Sequence, residues 1–361
     1  MVDFALWSMP VQYTSIIEEH QATRSAVGVF DISHMGRLTL HGAGAAAFLD
    51  RVVTRRIVDM PSGGIRYGLI ANQQGGILDD VLVYHVPGVA DSDYQMVVNA
   101  SNREKIVAWL HQQVDAHGCE DVQLVDRTTE TAMIAVQGPQ SLRLMKSIVE
   151  ADLSGARNYS GQMTRVAGRQ AMVSRTGYTG EDGCELVVEA PDAETVWNAI
   201  FDAAIFEAGS TASNVPVVAC GLGCRDTLRL EAGMPLYGHE LTEQINPVQA
   251  GLGLACNLDG RDFIGRDAIE QFEADTSQLR RVGLQLEGRR VPREGYAVFA
   301  GDQRVGEVTS GTFSPTFTRP IAMAYVQAEA ATPGTMLAVD IRSDRRPAKV
   351  VPLPFYRRAK S

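Results

Sequence analysis

The chain has 361 residues, 45% hydrophobic and 21% charged, and its 33 Lys and Arg against 43 Asp and Glu leave a formal net charge of −10. That length exceeds what one hydrophobic core usually sustains, so two or three domains are expected, and the apolar content excludes long disorder. The acidic excess argues against general binding to nucleic acid or anionic membranes. No apolar run of about eighteen residues spans a bilayer and no secretory signal opens the chain, so a cytoplasmic protein is the default expectation. Five cysteines, at 119, 184, 220, 224 and 256, are odd in number and scattered, which argues against a disulfide framework. Cys220 and Cys224 share a helix face at i,i+4, yet no CxxC or nearby His completes a tetrahedral set, so no metal site is expected.

In chain order, Thr14 or Ser15 caps a helix to about residue 26, with Glu18 placed as in a capping box. Short alternating or β-branched runs follow at 37–41, 65–70, 80–85 and 94–98, separated by Gly, Pro, Asn or Asp. Amphipathic helices are expected at 45–53, 104–116, 141–149, 193–206 and 222–232. The strands come in runs of two to four rather than in strict βαβ alternation, which predicts an α+β fold with mainly antiparallel sheets. A polar, aperiodic stretch at 273–278 reads as a linker. Beyond it, short strands at 281–287, 296–300, 305–309, 321–326 and 336–341 predict a small all-β barrel or sandwich over 279–361. The divisions expected are therefore 1–274 and 279–361.

Several segments suggest chemistry, each with a plainer reading beside it. Gly42-Ala-Gly-Ala-Ala-Ala-Phe48 has the form GxGxxA, but no second parallel strand ending in an acid follows, so a helix start against a strand is favoured over dinucleotide binding. Gly75-Gly-Ile-Leu-Asp-Asp80 sets two carboxylates after a glycine turn, and strand alternation lets only one of Asp79 and Asp80 face a given pocket. Taken alone, a solvated Asx turn is the plainer reading. Arg175-Thr-Gly-Tyr-Thr-Gly-Glu-Asp-Gly-Cys-Glu185 puts charges among glycines and ends on Glu185 at the start of a strand, where a carboxylate can pair with a flat donor edge such as an amidine. The alternative is a hairpin with exposed acids. On the 222–232 helix, Arg225 either braces Glu185, grips a ligand carboxylate or belongs with Arg229 to a solvated salt-bridge face. His34 reads as a partly buried, locally bonded histidine rather than a general base. The basic runs 345–349 and 357–360 read as solvated, with attraction of an anionic ligand tail or acidic partner as the alternative.

Taken together and in order, Trp7-Ser-Met-Pro-Val-Gln-Tyr13, Phe30-Asp-Ile-Ser-His-Met35, Gly75–Asp80, Arg175–Glu185, Arg225-Asp-Thr-Leu-Arg-Leu-Glu-Ala-Gly-Met-Pro-Leu-Tyr-Gly238 and Val350-Val-Pro-Leu-Pro-Phe-Tyr356 resemble the aminomethyltransferase, or T-protein, family of the glycine cleavage system over nearly the whole chain. The resemblance implies two interleaved α+β lobes and a C-terminal β-barrel, three lobes around a central tetrahydrofolate site. It also implies a reaction. The one-carbon unit of an aminomethyl group on the lipoyl arm of H-protein passes to tetrahydrofolate, giving 5,10-methylenetetrahydrofolate, ammonia and dihydrolipoyl protein. By matching position Asp80 is the expected catalytic residue and Glu185 the pterin ligand, with Arg225 and Tyr356 completing the site and Met35, Tyr67, Val97 and Asn99 lining it. Tetrahydrofolate and lipoylated H-protein are the expected partners, without metal, nucleic acid or membrane.

Two positions depart from the family pattern. Leu254 stands where relatives often carry Trp, which bears on substrate preference, and Leu6 stands where the opening motif usually has Gly. The chain also begins at that motif without the short segment typical of relatives, which bears on local stability or H-protein docking. A same-fold alternative is a tetrahydrofolate-dependent demethylase of a small methylated substrate. A non-catalytic folate-binding protein of iron-sulfur cluster maintenance is disfavoured, because Gly260-Arg-Asp-Phe-Ile-Gly-Arg-Asp267 stands where those relatives carry a cysteine motif.

Overall fold

The computed structural model describes residues 1–86, 93–119, 121–208 and 216–358, so Lys360 of the expected basic tail lies outside the described residues. A hairpin of β1 (Val2–Phe4) and β2 (Trp7–Met9) leads into α1 (Ile16–Ser25). The Ser15 hydroxyl accepts the Glu18 N–H at 3.2 Å and caps that helix, as its spacing predicts. The return contact is a different one. The Glu19 carboxylate, not that of Glu18, accepts the N–H groups of Tyr13 and Thr14 at 2.6 and 3.0 Å.

The chain continues through β3 (Val27–Asp31), β4 (Gly36–His41), α2 (Ala45–Val52), β5 (Ile65–Ala71), β6 (Ile77–His85), β7 (Tyr94–Val98), α3 (Arg103–Ala116), β8 (Gln123–Asp126), β9 (Thr131–Gln137) and α4 (Ser141–Met145). Next come β10 (Gly161–Val166), β11 (Arg169–Ser174), β12 (Gly183–Glu189), α5 (Ala193–Ala208), β13 (Val217–Ala219), α6 (Leu222–Glu231) and α7 (Arg266–Ala274). Two differences from expectation bear on function. β6 begins at Ile77, so Asp79 and Asp80 lie inside the strand instead of opening it. The helix expected to reach residue 149 stops at Met145, and Val149 instead forms a bridge with Val166 at the end of β10.

The fold divides into two compact units. The first comprises Met1–Gly68, Asp80–Gly177 and Glu181–Cys224. It holds a six-stranded sheet in the order β10-β11-β12-β9-β3-β13, antiparallel except for the β13–β3 pair. Alternate residues of this sheet, among them Val29, Ile134, Val136, Val173 and Leu186, pack with Val196 and Ile200 of α5 into one core. Glu185, next to Leu186, is therefore on the opposite face of β12. A five-stranded sheet has the order β5-β6-β7-β4-β8, although the 69–71 end of β5 and the 77–79 end of β6 belong to the second unit.

The second unit comprises Leu69–Asp79, Tyr178–Gly180 and Arg225–Ser361. Its centre is a closed antiparallel barrel of β14 (Arg280–Leu286), β15 (Ala297–Ala300), β16 (Gln303–Ser314), β17 (Arg319–Val326), β18 (Met336–Asp340) and β19 (Arg345–Val351), in the order β14-β17-β16-β15-β18-β19. The basic run 345–349 is thus the closing strand rather than a tail, and the solvated reading holds for its charged side chains, Arg345 and Lys349 being exposed. Ala348 and Val350 alternate inward at 0% and 1% exposure, while Arg345 turns outward to Asp302 and over the Phe299 ring. Closure leaves no open edge on this sheet. Among the described residues no helix is long and apolar enough to cross a membrane.

Candidate functional site

Residues of β6 alternate faces, so Asp80, Leu82 and Tyr84 share one face. β7 pairs with β6 in the register Leu82↔Val97, and β4 pairs with β7 in the register Arg37↔Val97. This antiparallel register places Val97, and Asn99 just past the end of β7, on the face that Asp80 occupies. Asn99 Nδ2 donates to Asp80 Oδ1 at 2.6 Å and to the Asp80 carbonyl at 3.2 Å, which fixes both the carboxylate and its own backbone. The Tyr67 hydroxyl donates to Asp80 Oδ2 at 3.1 Å. Burial pushes the Asp80 carboxyl above the ordinary range, and the donors Asn99 and Tyr67 offset only part of the rise. No cation is among the groups that shift it. A carboxylate accepts about four hydrogen bonds, so two neutral donors leave it capacity to meet a ligand N–H or a developing positive charge.

Met35, half-buried, lies in the turn between β3 and β4. Arg37 Nη1 donates to the carbonyls of Ser33 and Met35 at 3.0 and 2.6 Å, and its Nε donates to Thr131 Oγ1 at 2.7 Å. A single buried guanidinium thus fixes the turn that presents Met35, and burial lowers the pKa of this arginine to about 10.

Glu185 is 5% exposed, not an exposed acid of a hairpin. Its partner across the β11–β12 ladder is Ser174. Thr176 Oγ1 donates to Glu185 Oε2 at 2.5 Å, the Ser174 and Thr176 hydroxyls lie 2.9 Å apart, and Ser174 Oγ donates to the Glu185 carbonyl at 3.2 Å. The loop before Glu185 is rigidly held. Arg175 donates to the carbonyls of Gly183 and Ala156 at 3.0 and 2.8 Å and pairs with Asp182 at 2.5 Å. A Cβ at Gly177 would lie 2.0 Å from Gln137 Oε1, so a larger residue there would displace the Gln137 amide from the carbonyls of Thr176 and Cys184. The phenols of Tyr84 and Tyr159 are raised from their ordinary values, first by burial and also by the charge of Glu185.

In the second unit Arg225 lies 4.7 Å over the ring of Tyr178, whose hydroxyl donates to the Pro235 carbonyl. The Tyr356 N–H donates to the Glu231 carbonyl at 2.7 Å, so the end of α6 fixes the backbone of the residue expected to complete the site. Arg229 departs from the solvated face that its spacing suggested. It is 2% exposed and bonds to Glu240 at 2.9 Å, to Asp226 and to Ser310, which makes it a buried structural cation. Leu254 sits on a 3₁₀ turn, Gly253–Ala255, with 93% of its surface exposed.

Comparison with known proteins decides the family. The GCVT N-terminal domain model matches residues 1–260 and the glycine cleavage T-protein C-terminal barrel domain model matches residues 280–357. The chain belongs to the glycine cleavage T-protein family. It is 48% identical to an aminomethyltransferase of Streptomyces avermitilis, covering 100% of this chain and 94% of that one, and 44% identical to one of Geobacillus kaustophilus over 99% and 95%. The crystal structure of the glycine cleavage system aminomethyltransferase T from Bartonella henselae matches with a TM-score of 0.87 at 29% identity, covering 98% of this chain and 93% of that one. The α+β sheets and terminal barrel expected from the sequence are thus the fold of this family.

Within this T-protein fold the first unit carries Tyr67, Asp80 and Val97 on one sheet, with Met35 just before β4 and Asn99 just after β7, while Arg225 and Tyr356 belong to the second unit. Sequence reasoning missed Tyr84, Ser174 and Thr176. The available signal was Tyr84's spacing of four from Asp80 on a strand; the two hydroxyl residues flank Arg175 with no signature of their own. Other candidates resolve as structure. Gly44 N–H donates to Asp121 Oδ2 at 2.6 Å, so a carboxylate of this chain occupies the start of α2 in place of a phosphate. His34 is 3% exposed with its ring edge-on to Phe4 at 5.5 Å. Glu19, Cys220 and Cys224 bring three possible metal-ligand atoms within 4.8 Å of one another. The Glu19 carboxylate, however, already accepts three backbone N–H groups, from Tyr13, Thr14 and Gly221, and burial raises the Cys224 thiol far from the thiolate a metal needs. That cluster ties α1 to the segment that precedes α6.

Proposed function

We propose that this chain is an aminomethyltransferase that takes tetrahydrofolate and lipoylated H-protein as substrates, in the cytoplasm. The carbon–sulfur and carbon–nitrogen bonds of the aminomethyl group break, its carbon bonds to two folate nitrogens, and the two protons those nitrogens lose go to the departing amine and thiolate. The products are 5,10-methylenetetrahydrofolate, ammonia and dihydrolipoyl protein. In this reading Asp80 orients the folate nitrogens and stabilises positive charge as the carbon arrives. Glu185 takes the donor edge of the pterin through its carboxylate, Arg225 and Tyr356 contribute further ligand contacts, and Met35, Tyr67, Val97 and Asn99 line the site.

The observation that carries the reading is the environment of Asp80. It is a desolvated carboxyl held by two neutral donors and raised above the ordinary range, the condition in which a carboxylate interacts most strongly with a cation or a shared proton. The test is ammonia release from aminomethylated H-protein with and without tetrahydrofolate. Release stimulated by tetrahydrofolate and dependent on lipoylated H-protein is expected. Equal product formation without H-protein would shift the assignment to a demethylase.

A further inference from the structure

β10 is an edge strand of the six-stranded sheet, and in its ladder with β11 Gln162 stands opposite Val173. Val173 in turn stands opposite Leu186 of β12, whereas Glu185 pairs with Ser174. Gln162, Val173 and Leu186 therefore share the face of the sheet turned away from Glu185. A cavity of about 350 Å³, lined by Gln162, Val173 and the loop 152–157, lies on this side, all of it within the first unit. Its volume is that of a small-molecule site. Neither Asp80 nor Glu185 lines it.

The protein itself holds the rim in place. Arg175 Nη1 donates to the carbonyls of Leu153 and Ala156 at 3.3 and 2.8 Å, and the Ala156 N–H closes a turn onto the Leu153 carbonyl at 3.2 Å. That turn sets Asp152 before it and Arg157 after it, both exposed and both lining the cavity. The ordering cost of the rim is thus met on folding rather than on binding. The Ser154 hydroxyl and N–H hold the Asp152 carboxyl below the ordinary range, so it is ionised at neutral pH and keeps acceptor capacity. Among the described residues the Arg157 guanidinium makes no hydrogen bond or ion pair, and the half-buried Gln162 amide makes no side-chain bond.

Asp152 and Arg157 thus bring opposite charges to one cavity without pairing with each other. A simple anion attracted by Arg157 is repelled by Asp152, and a simple cation meets the reverse; a molecule that carries both charges satisfies both residues. Leu153 and Val173, at 5% and 1% exposure, supply an apolar wall. We propose that this cavity binds a small zwitterion, an α-amino acid with an aliphatic side chain, whose carboxylate meets Arg157 and Gln162, whose ammonium meets Asp152 and whose side chain lies against Leu153 and Val173.

The probe is leucine, titrated against the full chain by ligand-observed NMR beside isocaproate and isopentylamine, which are leucine without its ammonium and without its carboxylate. Leucine should bind at least about tenfold more tightly than either analogue, since each lacks one charge-assisted contact. Asp152 and Arg157 are exposed, so conservative changes at them leave the fold intact. Arg157→Gln should weaken leucine about tenfold and leave isopentylamine unchanged. Asp152→Asn, which keeps an acceptor for the Ser154 N–H, should weaken leucine similarly and leave isocaproate unchanged. Leucine bound no more tightly than its analogues, or bound by both variants as by the parent, overturns the proposal. Displacement of leucine by tetrahydrofolate also overturns it, because the two ligands would then share a site. None of these failures touches the reading of Asp80 and Glu185, which line a different part of the unit.

Discussion

In the first unit Asp80 is held by the neutral donors Asn99 and Tyr67, and burial leaves its carboxyl above the ordinary range. In the second, Glu240 is more enclosed, with 0% exposure where Asp80 is half-buried, and yet ends below it. Burial raises Glu240 too, but the Arg229 guanidinium at 2.9 Å, the Thr309 hydroxyl and the Leu236 N–H at 2.9 Å outweigh that. Glu231 is similarly saturated, accepting from Ser314 Oγ and from both the N–H and hydroxyl of Thr316. A carboxylate surrounded by enough donors is finished as a structural element. One that is desolvated without a countercharge stores a preference for a cation or a proton, and that preference is available to a substrate.

The largest expected consequence concerns the finished carboxylate. Glu240→Gln leaves buried Arg229 with only the half-exposed Asp226 as a counter-ion and should lower the unfolding free energy by about 3–5 kcal/mol, read from urea denaturation. Replacing both members together, Arg229→Met with Glu240→Leu, should cost much less; an equal loss would show that the pair's charge balance is not what matters. The sign of the pH effect follows from the depressed folded-state pKa. The contribution of Glu240 to stability is present above its unfolded pKa of about 4.3 and is lost as pH falls through the lower folded value. Glu240→Gln should lack that part of the acid sensitivity.

The stability effect at Asp80 should have the opposite sign. Its folded-state pKa is raised, so its contribution is present below the unfolded value of about 3.9 and is lost as pH rises through the folded one. As pH rises above the unfolded value that contribution turns into a cost, which Asp80→Asn removes, and the variant should melt no lower than the parent at pH 8. A clearly lower midpoint would mean that Asp80 is a structural carboxylate like Glu240. On the binding side, Thr176→Val deletes a charge-assisted bond to Glu185 and should weaken tetrahydrofolate binding by about 10–100-fold, which calorimetry checks. Affinity equal to that of the parent would remove Thr176 from the support of Glu185.

The smallest effects are expected where one neutral donor to Asp80 is lost. Tyr67→Phe and Asn99→Ser each remove a bond that holds the carboxyl down, so the acidic limb of the rate profile should move to higher pH. Because Asn99 also bonds the Asp80 carbonyl, its loss should in addition lower kcat. A limb that moves to lower pH would contradict the assigned direction.

Much of this was legible in the residues themselves. The Ser15 cap, the strands around 65–98 and the glycine-punctuated carboxylates follow from local chemistry, and local chemistry needs only neighbours in sequence. What was hidden depends on register or alternation. The Arg and Lys of 345–349 read as a tail because their charges dominate the composition, although Ala348 and Val350 between them close the barrel. Tyr84 reads as an ordinary strand aromatic, and what sets its phenol apart comes from a different sheet, from the charge of Glu185 and the hydroxyls of Thr176 and Ser174. Arg229 looked like Arg225's solvated companion because Glu240 and Ser310, which bury it, arrive 11 and 81 residues later.

The central claim is that Asp80, and not merely the pocket around it, carries the chemistry. The direct measurement is single-turnover formation of methylenetetrahydrofolate by Asp80→Asn from aminomethylated H-protein, with tetrahydrofolate affinity determined on the same preparation. A rate lowered by about 10²–10⁴-fold, with binding still measurable, is predicted. Turnover equal to that of the parent protein would contradict the account.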